Sequence, residues 1–295
     1  MNRYTLSAYK HGSTLIKGVQ NLSLNMNLQQ IIASGSGAVD VSFVGVGEIA
    51  PEITFDTTAI KTALANCGGI NGAALSSDVF FLQKLLDGGL RGGALSHIKL
   101  TAATGIIVPT QIRAAQGAVA TIGYRALPTS ADGEASPLAI LGSQSLEVGQ
   151  SVVSEIYTLG PVSINGTPLE GVDDITIDFG ITLTDKKSGS GAVYPTFIGV
   201  MSRQPSFTIR TFDLDAFASW GLDGVAQGET DSTVQLLDQL AGGVRGSSPI
   251  TFTIDAGMIH CDTIDGTHGQ QSGGSVKITP VWDGVADIIV ISGLT

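Results

Sequence analysis

The strongest constraint on this chain is that its sequence contains itself. Shifted by 154 positions, Ser34-Gly35-Ser36-Gly37-Ala38-Val39 falls on Ser188-Gly189-Ser190-Gly191-Ala192-Val193, six identities in a row. Phe43, Gly45, Pro51, Thr54 and Thr57 then fall on Phe197, Gly199, Pro205, Thr208 and Thr211, and Gly88, Gly89, Arg91 and Gly92 on Gly242, Gly243, Arg245 and Gly246. Between residues 34 and 100 there are 18 identities in 67 positions without an insertion. Where identity fails, apolar still meets apolar: Val44, Ile53, Phe55 and Ile60 meet Ile198, Phe207, Ile209 and Leu214. A slip of one residue carries the match toward the start, with Gly18 to Leu24 on Gly171 to Ile177 and Tyr4-Thr5-Leu6 on Tyr157-Thr158-Leu159. Solenoid units repeat every 20 to 50 residues or so. A period this much longer reads as a whole domain copied and fused, residues 1–150 and 151–295, each large enough to bury a core of its own.

Residues 1–16 alternate loosely and read as an extended arm; residues 152–167 are its counterpart and double as the connector. Val19 to Leu28 and Val172 to Leu183 alternate apolar and polar with the period of a half-buried strand. With Val39 to Val46 returning after the Ser-Gly-Ser-Gly turn, the expectation is a long hairpin whose tips are Ser34, Gly35, Ser36 and Gly37 in one copy and Ser188, Gly189, Ser190 and Gly191 in the other. Short strands follow at residues 52–55 and 206–209. Residues 57–66 and 211–220, with apolar spacings of three and four and a Gly just beyond, predict short helices. A cap residue, i, i+3, i+4 spacing and a terminal Gly pair predict a second helix over residues 77–89 and again over 231–243. Strands resume at residues 97–100 and 250–254, and the last pairs are residues 117–124 with 138–141 and 275–282 with 287–291. The expected fold class is mainly β (α+β): two tandem copies of a β-sandwich or half-barrel with a long hairpin and flanking helices.

Charged residues make up 14% of the chain, against about 25% in an ordinary soluble domain. So bare a surface favours burial in an assembly. The net charge of −11 argues against gripping nucleic acid by its phosphates, which takes clustered Lys and Arg; a like-charged wall can still let a polyanion pass without sticking. No apolar run approaches the ~18 residues that span a bilayer, and the start has no signal-peptide core, so the expectation is a protein neither membrane-embedded nor exported. Cys67 and Cys261 occupy unmatched places and read as reduced thiols.

Little else suggests chemistry. His260, Cys261 and His268 lie close in sequence but lack the four ligands and spacing of a zinc site, and the first copy has nothing to match. Asp173-Asp174, Asp213 with Asp215, and Asp262 with Asp265 lack the regular acid ladder of a calcium loop. Neither the Gly88–Gly93 run nor the Ser-Gly turns carry the phosphate-loop pattern. Asp56, Lys61, Asp78, Lys84, Asp213 and Asp215 read as charges on the wet faces of helices. No Ser/His/acid set recurs, so no enzyme, metal or cofactor is expected. Arg91 and Arg245 are the one charged type kept at a matched position; a contact between subunits or a charge at a helix C-terminus would each explain them.

A β-rich domain with a long hairpin, a flanking helix, an N-terminal arm, low charge and an acidic balance, present twice, resembles the tail-tube fold of long-tailed bacteriophages. In that family six domains form a ring, neighbouring hairpins pair into an inner barrel, and rings stack into a tube for DNA; members with two fused copies build the ring from three chains. The resemblance implies a structural virion protein of the tail, made in the host cytoplasm. Its partners would be itself, neighbouring tail proteins and a tape-measure protein, with DNA passing through the lumen without specific binding. The arms, residues 67–76 and the chain ends would bridge rings. Other virion rings or coats (tail terminator, distal tail, neck, capsid decoration) fit the same pattern, a duplicated carbohydrate-binding module less well. A second helix in each copy departs from the simplest tube proteins.

Overall fold

The computed structural model describes residues 3–37, 39–86, 89–149, 153, 155–186, 191–221, 223–226, 231–240, 243–266, 271–282, 284 and 287–294. The described residues are mostly antiparallel strand, with two short helices among them. The first half runs β1 (Arg3–His11), β2 (Thr14–Ile16), β3 (Val19–Asn25), β4 (Leu28–Ala33), β5 (Phe43–Ile49), β6 (Glu52–Thr57), α1 (Ile60–Asn66), β7 (Ala73–Ala74), β8 (Asp78–Leu85), β9 (His97–Ala102), β10 (Gly105–Ala115), β11 (Thr121–Pro128) and β12 (Leu138–Gln144). The second half runs β13 (Tyr157–Ile164), β14 (Thr167–Pro168), β15 (Val172–Asp178), β16 (Ile181–Lys186), β17 (Phe197–Arg203), β18 (Ser206–Thr211), α2 (Leu214–Trp220), β19 (Val225–Ala226), β20 (Ser232–Asp238), β21 (Ile250–Ile254), β22 (Gly257–Asp265), β23 (Gly273–Pro280) and β24 (Val290–Ser292).

Two five-stranded sheets have the orders β2-β1-β8-β9-β12 and β14-β13-β20-β21-β24. Those orders correspond strand for strand. The irregularities correspond too: β1 slips against β8 after Leu6, and β13 slips against β20 after Leu159. The third sheet has ten strands and crosses both halves. Its path is β19-β22-β23-β18-β15-β10-β11-β6-β3, with β7 on the side of β10.

Period-two burial explains the large sheet. In β6, Ile53, Phe55 and Thr57 turn inward while Glu52, Thr54 and Asp56 do not; in β18, Phe207, Ile209 and Thr211 turn inward likewise. The first-half core stacks Tyr9 on Phe80 with ring centroids 4.6 Å apart, and Phe55 on Tyr124 at 5.6 Å. At the positions matching these four rings the second half buries Val162, Val234, Ile209 and Val276, so the core is aromatic in one half and aliphatic in the other under the same pairing pattern. The matched threonines have one job. Thr57 Oγ1 donates to Lys17 O (2.7 Å) and accepts from Ala59 N (3.1 Å); Thr211 Oγ1 donates to Glu170 O (2.6 Å) and accepts from Asp213 N (3.0 Å). Each threonine thus ties the end of a strand to the start of α1 or α2. Asp213 also caps α2 through Ala216 N.

Several sequence expectations give way. The second helices expected over residues 77–89 and 231–243 give way to strands: β8 (Asp78–Leu85) and β20 (Ser232–Asp238) are the central strands of the five-stranded sheets. The arms are not loose extensions, because β1 and β13 pair on both sides. Residues 117–124 do not pair with 138–141; β11 lies between β10 and β6, and β12 pairs with β9. The counterparts do the same, β23 pairing with β18 and β22 while β24 pairs with β21. Finally, the hairpin is longer than expected and kinked. β3 pairs with β6 and β4 with β5 in one register on either side of Asn27, so the ribbon runs from Val19 to Thr57. Among the described residues, no helix is long and apolar enough to cross a membrane.

Candidate assembly surfaces

The seam that joins the halves lies on one edge of β10. Near its start that edge takes β7, with Ile106 opposite Ala74; from Gln111 to Ala115 it takes β15, with Gln111 opposite Asp178 and Ile112 opposite Ile177. Gln116 N donates to Asp173 O (2.7 Å), Phe179 N to Thr110 O (3.0 Å) and Ala120 N to Tyr157 O (2.7 Å) at the seam's ends. Ile112 and Ile177 are both 0% exposed. In the second half β22 takes β19 where β10 takes β7, with Met258 opposite Ala226. Past that point, among the described residues, Thr263 to Asp265 pair with β23 alone. At the far end of the sheet β3 pairs with β6 alone. The counterparts of Ile112 and Ile177 are therefore Ile264 and Leu24, on open edges, and they are 52% and 37% exposed.

Beyond the kink, β4–β5 and β16–β17 are two-stranded ribbons. The kink has a local cause. Asn27 (φ +44°) and Gly180 (φ +55°) are left-handed at matched positions. Asn27 Nδ2 ties across to Ala50 O at 2.9 Å, and a Cβ on Gly180 would meet Gln204 O at 2.0 Å. Phe43 and Phe197 lie over Gly45 and Gly199 at the same point of each ribbon, a contact any larger residue there would obstruct. The second ribbon leans on the first half: Leu183 and Ile198 share a groove with Arg125 and Leu127, and Ile181 shares one with Val108 and Pro109. The segment after its turn is clasped, Val193 N and Tyr194 N donating to Gly133 O (2.8 and 2.9 Å) and Ser130 N to Pro195 O (2.9 Å). Asp132 organises that clasp. It accepts from Glu134 N, Ala135 N and Ser130 Oγ, and these hydrogen bonds hold its carboxyl at about 2. Of the first ribbon, Ile49 N beside the kink donates to Val193 O (3.0 Å), while every residue of β4 is exposed.

No protein-family model matches this chain, and no curated protein matches it in sequence. Function has to be read from the geometry itself.

The expected tip residues Ser34, Gly35, Ser36 and Gly37 form the exposed turn of the first ribbon. Gly191 lies in the turn of the second with φ +105°; Ser188, Gly189 and Ser190 fall outside the described residues. Arg91 and Arg245 occupy loops of one shape. Each makes a lone bridge, to Leu85 and to Gln239. Leu86 N reaches Leu90 O as Leu240 N reaches Val244 O (2.7 and 2.8 Å), with Gly89 and Gly243 left-handed. Neither arginine follows a helix, so the helix-end reading is withdrawn. Both arginines are exposed, and Arg245 borders a cleft of ~540 Å³ between its own loop and Gln116 and Gly117 of the first half.

Among the described residues, no group of three His, Cys, Asp or Glu could hold a metal. His260 and Cys261 are neighbours on β22, so the strand directs them to opposite faces; His268 is outside the described residues. Cys67 and Cys261 are free thiols, and burial pushes that of Cys67 up to about 12. Asp265 pairs with Arg210 (3.0 Å), and Arg125 Nη2 donates to Glu52 (3.1 Å).

One polar cluster escaped the sequence reading. Asp78, expected on a wet helix face, is fully buried. It accepts from Tyr9 Oη, from His11 Nδ1 (2.9 Å) and from Ser76 N (2.9 Å). Burial, then the Asp78 charge, hold the Tyr9 hydroxyl far above its ordinary range. The second half has Val162, Ile164 and Ser232 at these places, so the repeat gave no hint of it.

Proposed function

We propose that this chain is a structural virion protein of a phage tail: two tandem copies of a tail-tube-like domain, residues 1–150 and 151–295, three chains closing a ring of pseudo-sixfold order and rings stacking into a tube through which DNA passes. The observation that carries this reading is the pair of open edges. The chain makes one β10–β15 seam internally and presents the matching edges toward opposite ends of the ten-stranded sheet: among the described residues, β22 past its short pairing with β19 and β3 beyond β6 have no second neighbour. An open edge is a template for pairing. Two unlike edges of one molecule make a head-to-tail contact, which closes into a ring when the rotation permits. Pairing β22 of one chain with β3 of the next would set Ile264 against Leu24 as Ile112 is set against Ile177. The matched strand orders, slips and kinks support the two-copy reading. The role requires no catalysis, cofactor or membrane; its partners are further copies, neighbouring tail proteins and a tape-measure protein. Electron microscopy of the purified protein tests it. Rings and tubes are expected; monomers at high concentration would sink the reading, and closed rings that never stack would reassign it to a terminator, neck or similar single-ring part.

A further inference from the structure

The first ribbon raises a separate question, because an isolated two-stranded ribbon is marginal in water. In β4 the side chains of Leu28 and Ile32 share one face; Ile32 stands opposite Val44, and Val46, opposite Gln30, lies between Leu28 and Ile32 on that face, and these four apolar residues are exposed. Their counterparts on the second ribbon, Ile181, Asp185, Val200 and Ile198, include three apolar residues that are only half exposed. The difference lies in what each ribbon rests on. The second lies across β10 and β11 of the first half, where Val108 under it is 2% exposed. The matching platform for the first ribbon is β22–β23. The β22–β23 hairpin repeats β10–β11 in register, Gly257 opposite Pro280 as Gly105 is opposite Pro128, with the slip at the same place. There His260 stands for Val108 and Lys277 for Arg125. His260 is only half covered, and its Nδ1 is a buried polar atom without a hydrogen bond. Within one chain the platform sits beyond β18 and β15, at the other end of the large sheet from β3.

We propose that the β4–β5 ribbon docks on a second copy of this chain, its Leu28/Ile32/Val44/Val46 face lying over the neighbour's β22–β23 hairpin around His260 and Lys277. The inference rests on the ring reading above and adds to it a second, lateral contact: each chain lends a ribbon to the next and receives one. The occupant is fixed by the chain's own precedent, since the second ribbon already does this to the first half. The contact is continuous with the proposed β22–β3 seam, because β4 continues β3 past the kink.

The test is disulfide trapping in the full chain. Leu28→Cys is combined with His260→Cys in a Cys261→Ser background, oxidised, and run without reductant, beside micrographs of the same sample. Covalent dimers and trimers with both cysteines present, and monomers with either alone, are the expected result. A monomer carrying an internal disulfide would mean that the ribbon folds back on its own chain, and overturns the proposal. Rings in the micrographs without cross-links overturn it too, while leaving the tube reading intact; neither rings nor cross-links remove both. A second variant guards against a misplaced cysteine pair. Ile32→Asp/Val46→Lys changes two exposed side chains, and the second ribbon already carries Asp185 at the place of Ile32. It is expected to leave circular dichroism and thermal unfolding of the monomer unchanged and to raise the protein concentration needed for assembly by about tenfold or more. An unchanged assembly concentration overturns the proposal.

Discussion

At the scale of single residues, the halves differ most where the first half keeps buried polar groups. Asp78 sits in the aromatic core beside Tyr9 and Phe80, and a buried carboxylate is tolerable only when its oxygens are taken. Tyr9→Phe removes one donor without changing ring volume and is expected to cost about 1–3 kcal/mol, read as a lower urea midpoint with an unchanged slope. His97 is a second case. It is buried, and Lys84 N donates to its Nδ1 at 3.0 Å; burial first and the nearby Arg91 second keep its pKa below the ordinary imidazole value. The unfolded chain therefore takes up this proton more readily than the folded one. The stability contributed by the neutral ring is complete above the unfolded pKa near 6.5 and is lost as pH falls below it. Thermal unfolding followed from about pH 7.5 to about pH 5.5, the range in which histidine titrates, should show a smaller loss in His97→Gln than in the parent chain. The sequence could not announce either residue. A lone His and a lone Asp look like solvated charges until the topology buries them, whereas the identity of Thr57 and Thr211 is visible in the sequence and only the structure shows that both tie a strand to a helix.

At the scale of elements, α1 and α2 were readable because their three-and-four spacing ends at a chain-reversing Gly. β8 and β20 misled for a physical reason. The run Val79-Phe80-Phe81-Leu82 is apolar without interruption because β8 is a central strand, with Phe80 and Phe81 both buried, and an uninterrupted apolar run satisfies a helical pattern as well as an extended one. Val234-Gln235-Leu236 in the second half, with burial alternating, was the better guide. Which edge is open is a property of topology that no local pattern encodes, and a substitution can test it. Ile264→Asp, on the open edge, is expected to leave the monomer folded and to raise the assembly concentration on the order of a hundredfold, about 2.8 kcal/mol of lost contact. The same change at Ile112, within the internal seam, buries an unpaired charge and should cost more than about 4 kcal/mol of stability. Sedimentation velocity for the first and chemical denaturation for the second distinguish a surface that waits for a partner from one already occupied.

At the scale of the whole molecule, the acidic balance alone suggested a uniformly like-charged lining, and the polar face of the large sheet is more subtle than that. Glu52, Asp56, Asp174 and Asp178 share it with Arg113, Arg125, Arg210 and Lys277, and two of the four cations are engaged by carboxylates, Arg125 by Glu52 and Arg210 by Asp265. If this face lines a conduit, the engaged guanidiniums are withheld from phosphates, and a polyanion meets a wall that attracts it weakly despite its arginines. Removing the carboxylates then matters more than the change in net charge implies. Glu52→Gln/Asp265→Asn adds only two positive units to a chain of net charge −11, yet it releases two cations onto one surface. Assembled variant rings are expected to retain duplex DNA at low salt where the parent rings do not. For each freed cation that meets a phosphate, the logarithm of the binding constant should steepen by about one unit against the logarithm of salt. Equal and negligible retention by both would place this face away from the conduit, and would turn attention to the exposed side of the five-stranded sheets.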